Sequence, residues 1–266
     1  MEIFRKMSFA DSTGDAIPFY HEGKYHIFSL TSPPGTTVYP ERLRTTWSHS
    51  ISDDLVHWQE LPTALYPGEG DEPDASGVWT GSVIYGEGQY HAFYTGYCLT
   101  AEFQQTICHA TSDDGITWTK DIANPVITPM TELYEKLDWR DPYVFYNEED
   151  ENYWILISAR RLDMPVTRRG CIVLYRSKNL KDWTYYGPIY SPGHTNCPEC
   201  PEMYKMGGHW YLSYSRFSEF VNTIYRVSES PFGPWRKPKK DGSGGRRFYA
   251  AKSMQNDDGR RFYFGW

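Results

Sequence analysis

GQYHAFYTG, residues 88–96, joins a turn-forming glycine to a strand of alternating aromatic residues, and the same shape recurs along the chain. Its counterparts are GKYHIFSL at 23–30, ENYWILISA at 151–159, GHWYLSYS at 208–215 and GRRFYFGW at 259–266. With Tyr25, Tyr90, Tyr153, Trp210 and Phe262 taken as equivalent, the steps between copies are 65, 63, 57 and 52 residues. A second element follows the first four copies: SDDLVHW ending at Trp58, SDDGITW at Trp118, SKNLKDW at Trp183 and SESPFGPW at Trp235. A strand-rich unit of roughly 50–65 residues carrying one tryptophan per copy is the signature of a radial β repeat. Five copies predict an all-β, five-bladed β-propeller, with residues 1–266 as a single domain.

The fifth copy ends at Trp266 without the Ser…Trp element. That blade is expected to be incomplete, or completed by residues 2–8 as a closing strand, because an open inner edge invites mispairing. KPKKDGSGGRR at 237–247 predicts a flexible loop between the fourth and fifth blades, and residues 130–136 predict a helical turn.

Bulk properties exclude several functions. A net charge of −7 with no long Lys/Arg run argues against a nucleic-acid footprint. No stretch approaches the roughly 18 apolar residues of a membrane span, so no membrane partner is expected. The opening residues, MEIFRKMSFADSTGD, show no apolar leader. The five cysteines, an odd number, favour reduced thiols and a cytoplasmic home. Cys197-Pro-Glu-Cys200 lacks a second CxxC or an HxxxH to complete four zinc ligands, so no metal is expected.

The repeat also sets the phase of the acids. Asp15 lies ten residues before Tyr25, Asp141 twelve before Tyr153 and Glu199 eleven before Trp210. Three blades thus present a carboxylate at nearly one height on the inner strand, where side chains converge on the axis. Blade two offers GVWTGS at 77–82, with Trp79 and Ser82, and blade five offers FYAA at 248–251. The paired acids Asp53-Asp54 and Asp113-Asp114 sit in the Ser…Trp turns, where their expected work is hydrogen bonding to turn amides. The per-blade tryptophans are expected to pack between blades.

Two carboxylates flanking one bond are what glycosidic cleavage needs. One stays ionised at the anomeric carbon, and the other is kept protonated to donate to the leaving oxygen. A third acid, Asp141 beside Arg140, would hold sugar hydroxyls, with the arginine keeping it ionised. Trp79, Trp139 and Phe19 are candidates to stack on sugar faces, and Ser82 to bond the sugar. This chemistry requires no metal or organic cofactor, and its partner is an oligosaccharide or small glycoside.

These residues resemble the catalytic domain of glycoside hydrolase family 32, the β-fructofuranosidases, within the five-bladed clan shared with family 43. Residues 23–30 followed by WSHSISDDLVHW at 47–58 resemble the family's first blade. Trp79-Thr80-Gly81-Ser82 resembles its W-S/T-G-S element, Arg140-Asp141-Pro142 its R-D-P motif and Glu199-Cys200-Pro201 its E-C-P motif. DDGRRFYFGW at 257–266 resembles the fifth-blade signature. The resemblance implies Asp15 as nucleophile, Glu199 as acid/base, and Asp141 with Arg140 as binder and stabiliser of a retaining β-fructofuranosidase. The chain departs from the family's first motif, W-M-N-D-P-N-G, reading Ser12-Thr13-Gly14-Asp15-Ala16-Ile17-Pro18, and Asp11 is the alternative nucleophile. Propeller glycosidases often add a C-terminal β-sandwich, and none is expected within residues 1–266. The alternatives are a family-43-like inverting arabinan or xylan side-chain hydrolase and a non-catalytic glycan-binding propeller.

Overall fold

The computed structural model describes residues 12–217, 221–245 and 247–266. Strands pair antiparallel with their chain neighbours and build five separate sheets. Blade one holds Thr13–His21, Lys24–Thr31, Thr46–Ser52 and Trp58–Leu65. Blade two holds Gly77–Gly86, Gln89–Tyr97, Gln105–Ser112 and Thr119–Lys120. Blade three holds Tyr134–Asn147, Asn152–Arg161, Gly170–Ser177 and Thr184–Tyr190. Blade four has Glu199–Met206, His209–Arg216 and Asn222–Ser228, and blade five has Lys252–Gln255 and Arg261–Phe264.

The repeated glycine is explained by its turn. Glu22-Gly23, Glu87-Gly88 and Gly207-Gly208 all have positive φ at both central residues of a two-residue hairpin. That is the turn whose twist matches the strands it joins, and glycine enters it without steric cost. Each hairpin couples the first, inner strand of a blade to the second.

The inner strands contact one another in a closed order: blade one beside two, two beside three, three beside four, four beside five and five beside one. A ring of sheets around an axis is the predicted propeller. Apolar side chains fill its seams. One cluster joins Phe28, Trp47 and Ile17 of blade one to Val78, Tyr94 and Cys108 of blade two. A second joins Phe93 and Ile107 to Trp139, Ile155 and Val173, and a third joins Trp154 and Leu156 to Leu212 and Tyr214. Full burial of such a side chain contributes roughly 1.5–3 kcal/mol, so the seams carry much of the fold's stability.

Three of the four tryptophans do the packing expected of them. Trp118 meets Phe28 of the preceding blade edge-on at 5.8 Å, and Trp183 meets Phe93 at 5.3 Å. Trp235 packs on the seam of blades three and four. Trp58 is half-buried, and its indole N–H donates to Leu55 O. Of the turn acids, Asp54 and Asp114 behave as expected, while Asp53 pairs with Lys24 and Asp113 accepts from Gln89 Nε2. Asp54 Oδ1 accepts the N–H groups of Val56 and His57, and Asp114 Oδ1 accepts those of Ile116 and Thr117.

Two expectations change. The stretch expected only to bridge blades does more: Arg236 pairs with Val227 and Gly242 with Ile224, so residues 236–242 run along the outer edge of blade four. The predicted helical turn is a single turn closed on Met130 O by the N–H groups of Leu133 and Tyr134, after which the chain is extended. Residues 2–8 lie outside the described residues. Among the described ones, blade five closes on blade one through side chains: Asn256 donates to Tyr25, and Tyr20 to Asp257.

Candidate active site

Every inner strand of the first four blades breaks register near the same end. The breaks fall between Gly14 and Ala16, between Val78 and Gly81, opposite Leu156 to Ser158, and between Glu199 and Glu202. A bulge bends the strand and re-aims its side chains. Pro142 and Pro201, which have no N–H to offer a ladder, fall inside two of these breaks, a physical reason for Pro in both tripeptides. Gly81 has a different reason: a Cβ there would sit 2.0 Å from Phe93 O.

Counted from the hairpins, the acids are not all in one phase. Asp15 and Asp141 stand six residues before the last paired residues, His21 and Asn147. The position six before Met206 is Cys200, so Glu199 is in step with Arg140 instead. Asp141 and Cys200 both adopt left-handed φ, 58° and 49°, as does Ala250 at 49° in blade five. Such residues cost about 1 kcal/mol or more and persist where their surroundings hold them. Here the holding is visible: Asp141 N–H donates to Thr95 Oγ1 at 2.8 Å, and Cys200 N–H donates to Asp141 Oδ2 at 2.8 Å.

The three sequence-predicted carboxylates are brought together. Glu199 receives Arg140 Nη2 on Oε1 at 2.8 Å and the Tyr249 hydroxyl on Oε2. Asp15 receives the Trp266 indole N–H on Oδ1 at 2.8 Å, with the Cys200 thiol 3.7 Å from Oδ2. Tyr249 and Trp266 are themselves tied, each backbone N–H donating to the other's carbonyl, at 2.8 and 3.0 Å. One short bridge in blade five therefore holds an acid of blade one and an acid of blade four. Lys252, fully buried, lies beneath, its Nζ donating to Thr80 Oγ1 at 3.2 Å and to Gly81 O at 2.5 Å.

Electrostatics overturn one expectation. Burial raises the Asp141 carboxyl above the ordinary carboxylate range; Arg140 pulls it back, and the charge of Asp15 pushes it up again. Arg140 fails to win because its guanidinium is committed elsewhere: Nη1 to Asp138 at 2.5 Å and Nη2 to Glu199, leaving Nε 3.8 Å from Asp141. Burial likewise holds the thiols of Cys197 and Cys200 far above their usual range, so both are neutral. Among the described residues no three His, Cys, Asp or Glu side chains are grouped to hold a metal.

Three of the expected sugar contacts are corrected. Trp139 is completely buried, packed on Tyr134 at 5.3 Å and Tyr175 at 6.2 Å, because alternation turns it away from the face that carries Asp138 and Arg140. Ser82 Oγ is spent clamping blade three, donating to Pro142 O and accepting Val144 N–H. Phe19 stands four residues, about 13 Å of strand, beyond Asp15 and packs against His26 and Tyr90. It lines a cavity of about 180 Å³ further along the axis, together with Tyr143, Lys252 and Arg261. Trp79 is half-buried, stacked on Tyr97 at 4.1 Å, with its N–H on Leu43 O. Asp11 lies outside the described residues.

Sequence reading missed Tyr249, Lys252 and Trp266. A signal existed for the first two: Tyr249 and Lys252 fall in or beside FYAA, the fifth-blade stretch in phase with the acids. Trp266 had none, since its position depends on a bridge between chain-distant backbones.

A ring of five sheets with carboxylates gathered at one mouth of its axis is the architecture of the propeller glycosidases. The chain belongs to glycosyl hydrolases family 32: the model of that family's N-terminal domain matches residues 16–266, beginning one residue after Asp15. It is 31% identical to a levanase of Bacillus subtilis over 93% of this chain and 38% of that protein. It is 30% identical to a sucrose-6-phosphate hydrolase of Escherichia coli, over 91% of this chain and 52% of the relative. Among solved structures, the Bombyx mori family 32 β-fructofuranosidase BmSUC1 superposes with a TM-score of 0.78 at 25% identity, covering 96% of this chain and 55% of that one. The chain spans about half the length of the curated relatives it matches.

Proposed function

We propose that this propeller carries the catalytic site of a glycoside hydrolase acting on β-fructofuranosides, sucrose or fructans, with retention of configuration. Asp15 is the nucleophile, Glu199 the general acid/base, and Asp141 the binder that bonds sugar hydroxyls as the ring flattens. The observation that carries this reading is the pairing of Asp15 and Glu199 with different donors on one bridge, Trp266 for the first and Tyr249 for the second. A nucleophile must remain ionised, and an indole donor stabilises its charge. A general acid must exchange a proton, and the phenol of Tyr249 keeps its own, since burial and the Glu199 charge hold it far above the ordinary range. The family and its named levanase and sucrose-6-phosphate hydrolase relatives support the fructoside class.

The test is hydrolysis of a panel of fructans, sucrose and aryl glycosides, with the anomer of the first-formed product read by NMR. Release of fructose as the β-anomer supports the reading. Arabinose or xylose release with inversion would support a family-43-like enzyme instead, and binding of glycans without turnover a non-catalytic propeller. The five buried, unpaired cysteines support a reducing, cytoplasmic compartment.

A further inference from the structure

Glu199 is the inner end of a line of six alternating charges. Arg140 Nη2 meets Glu199 Oε1 at 2.8 Å, and Arg140 Nη1 meets Asp138 Oδ1 at 2.5 Å. Arg160 Nη1 lies 3.0 Å from Asp138 Oδ2 and 3.0 Å from Glu135 Oε2. Arg169 closes the line on Glu135 Oε1. Three cations thus alternate with three anions, and none of the six side chains is more than 21% exposed. Water screens such contacts little, so each charge feels its second neighbour as well as its first. The far end is anchored in the loop after the second strand of blade three, where Arg169 Nε donates to Met164 O and Arg160 Nη2 to Val166 O.

We propose that Asp138 and Arg160 are positioning residues for Glu199, setting through Arg140 both the orientation of its carboxyl group and its acidity. Asp138 stands two residues before Arg140, on the same face of the strand, and holds the guanidinium from the side opposite Glu199. Its negative charge subtracts from the pull that Arg140 exerts on ionised Glu199. Arg160 in turn masks Asp138. The other titratable groups facing Glu199 are Tyr249 from blade five and Cys197 and Cys200 of its own segment, with Asp141 and Asp15 behind Cys200. Around Asp138 they are Arg140, Arg160 and Cys197. Both thiols are neutral, Tyr249 keeps its proton and Asp141 reaches Arg140 only at Nε, 3.8 Å away, so Asp138, masked by Arg160, is the nearer charge acting on Glu199 through Arg140.

The proposal makes a signed prediction. Asp138→Asn keeps a hydrogen-bonding group but removes the opposing charge, so Glu199 becomes more acidic. Arg160→Gln unmasks Asp138, so Glu199 becomes less acidic. Each shift should be about half to one pH unit, the scale of one neighbouring charge in a partly buried site.

Where activity is the readout, the inference rests on Glu199 being the general acid, so the experiment reads both. The full chain is labelled with 13C at glutamate Cδ, and the Glu199 resonance is assigned by its loss in Glu199→Gln. Its titration is followed by NMR in the parent protein and in both variants, alongside the alkaline limb of kcat/KM. The expected result is a downward shift in Asp138→Asn and an upward one in Arg160→Gln, mirrored in the limb. A Glu199 titration that stays put in a folded variant, or moves the same way in both, overturns the proposal. Opposite shifts with an unmoved limb leave the coupling standing and remove Glu199 from the acid role. Should Asp138→Asn fail to fold, the direction in Arg160→Gln decides alone, because loosened packing has no reason to raise the Glu199 pKa.

Discussion

Trp266 and Asp15 are 251 residues apart in the chain, yet the indole N–H of Trp266 donates to Asp15 Oδ1 at 2.8 Å. The contact exists because Trp266 and Tyr249 exchange backbone hydrogen bonds, which sets the Trp266 indole over the bulge of blade one.

Trp266→Phe tests that contact. A hydrogen bond to a charged group contributes about 1.5–3 kcal/mol where water is kept out. Trp266 is 61% exposed, so water replaces part of the bond and the low end applies. The expected loss in kcat/KM is roughly tenfold with a folded protein. Unchanged kinetics would mean that the indole does not support the nucleophile.

Glu199→Gln should lower kcat by at least ~10²-fold, the scale of a positioned general acid. The loss should shrink for aryl fructosides with good leaving groups, which need little protonation. Equal loss across a leaving-group series would take the acid role away from Glu199.

Asp141→Asn should cut kcat/KM strongly for every substrate, whatever its leaving group, because the lost contacts are to the sugar. The Cys200 N–H bond to Oδ2 can be kept by the amide oxygen, so the left-handed turn at residue 200 should survive. Azide should not restore the rate. Formation of a fructosyl azide by this variant would exchange the roles of Asp15 and Asp141.

Acid should weaken the fold through two buried histidine pairs. His26 Nδ1 lies 3.0 Å from His49 Nε2, and His91 Nδ1 lies 2.9 Å from His109 Nε2. Burial lowers His26 to about 4, His49 to about 3 and His91 to about 4. A depressed histidine pKa costs nothing above the unfolded value of about 6.5, where both states are neutral. As pH falls below it the unfolded chain gains protons first, so stability drops until the folded groups titrate. At pH 5 His26, His49 and His91 should each cost up to about 2 kcal/mol. Urea unfolding at pH 7 and pH 5 measures it, and His49→Gln should flatten the slope. An equally steep slope in that variant would put the acid sensitivity elsewhere.

Local rules account for what could be read in advance. The glycine turns, the alternating aromatics and the Ser-Asp-Asp caps are short-range features with their own physical causes, and they made five blades legible. That Asp15, Asp141 and Glu199 lie near one height was legible in the repeat, although Glu199 is one residue out of step with the other two. The errors have a common source. Trp139 is an aromatic fit to stack on a sugar and stands beside Arg140, but alternation across a strand sends adjacent residues to opposite faces, and the apolar one enters the seam. Ser82 falls in the blade-two stretch aligned with the acids and Phe19 on the strand of Asp15, yet register sets both past the mouth.

By itself, then, the sequence determined the repeat, its pitch, the ring it closes and the blades that carry acids, because hydrogen-bonded hairpins and apolar periodicity act over a few residues. Only the tertiary structure decided which donors each carboxylate receives. Bulges shift phase by a residue, so Glu199 aligns with Arg140 rather than with Asp141. Ring closure brings Tyr249 and Trp266 to acids 50 and 251 residues away. Burial, not the neighbouring arginine, sets the direction of Asp141's acidity, and burial is a property of the assembled ring.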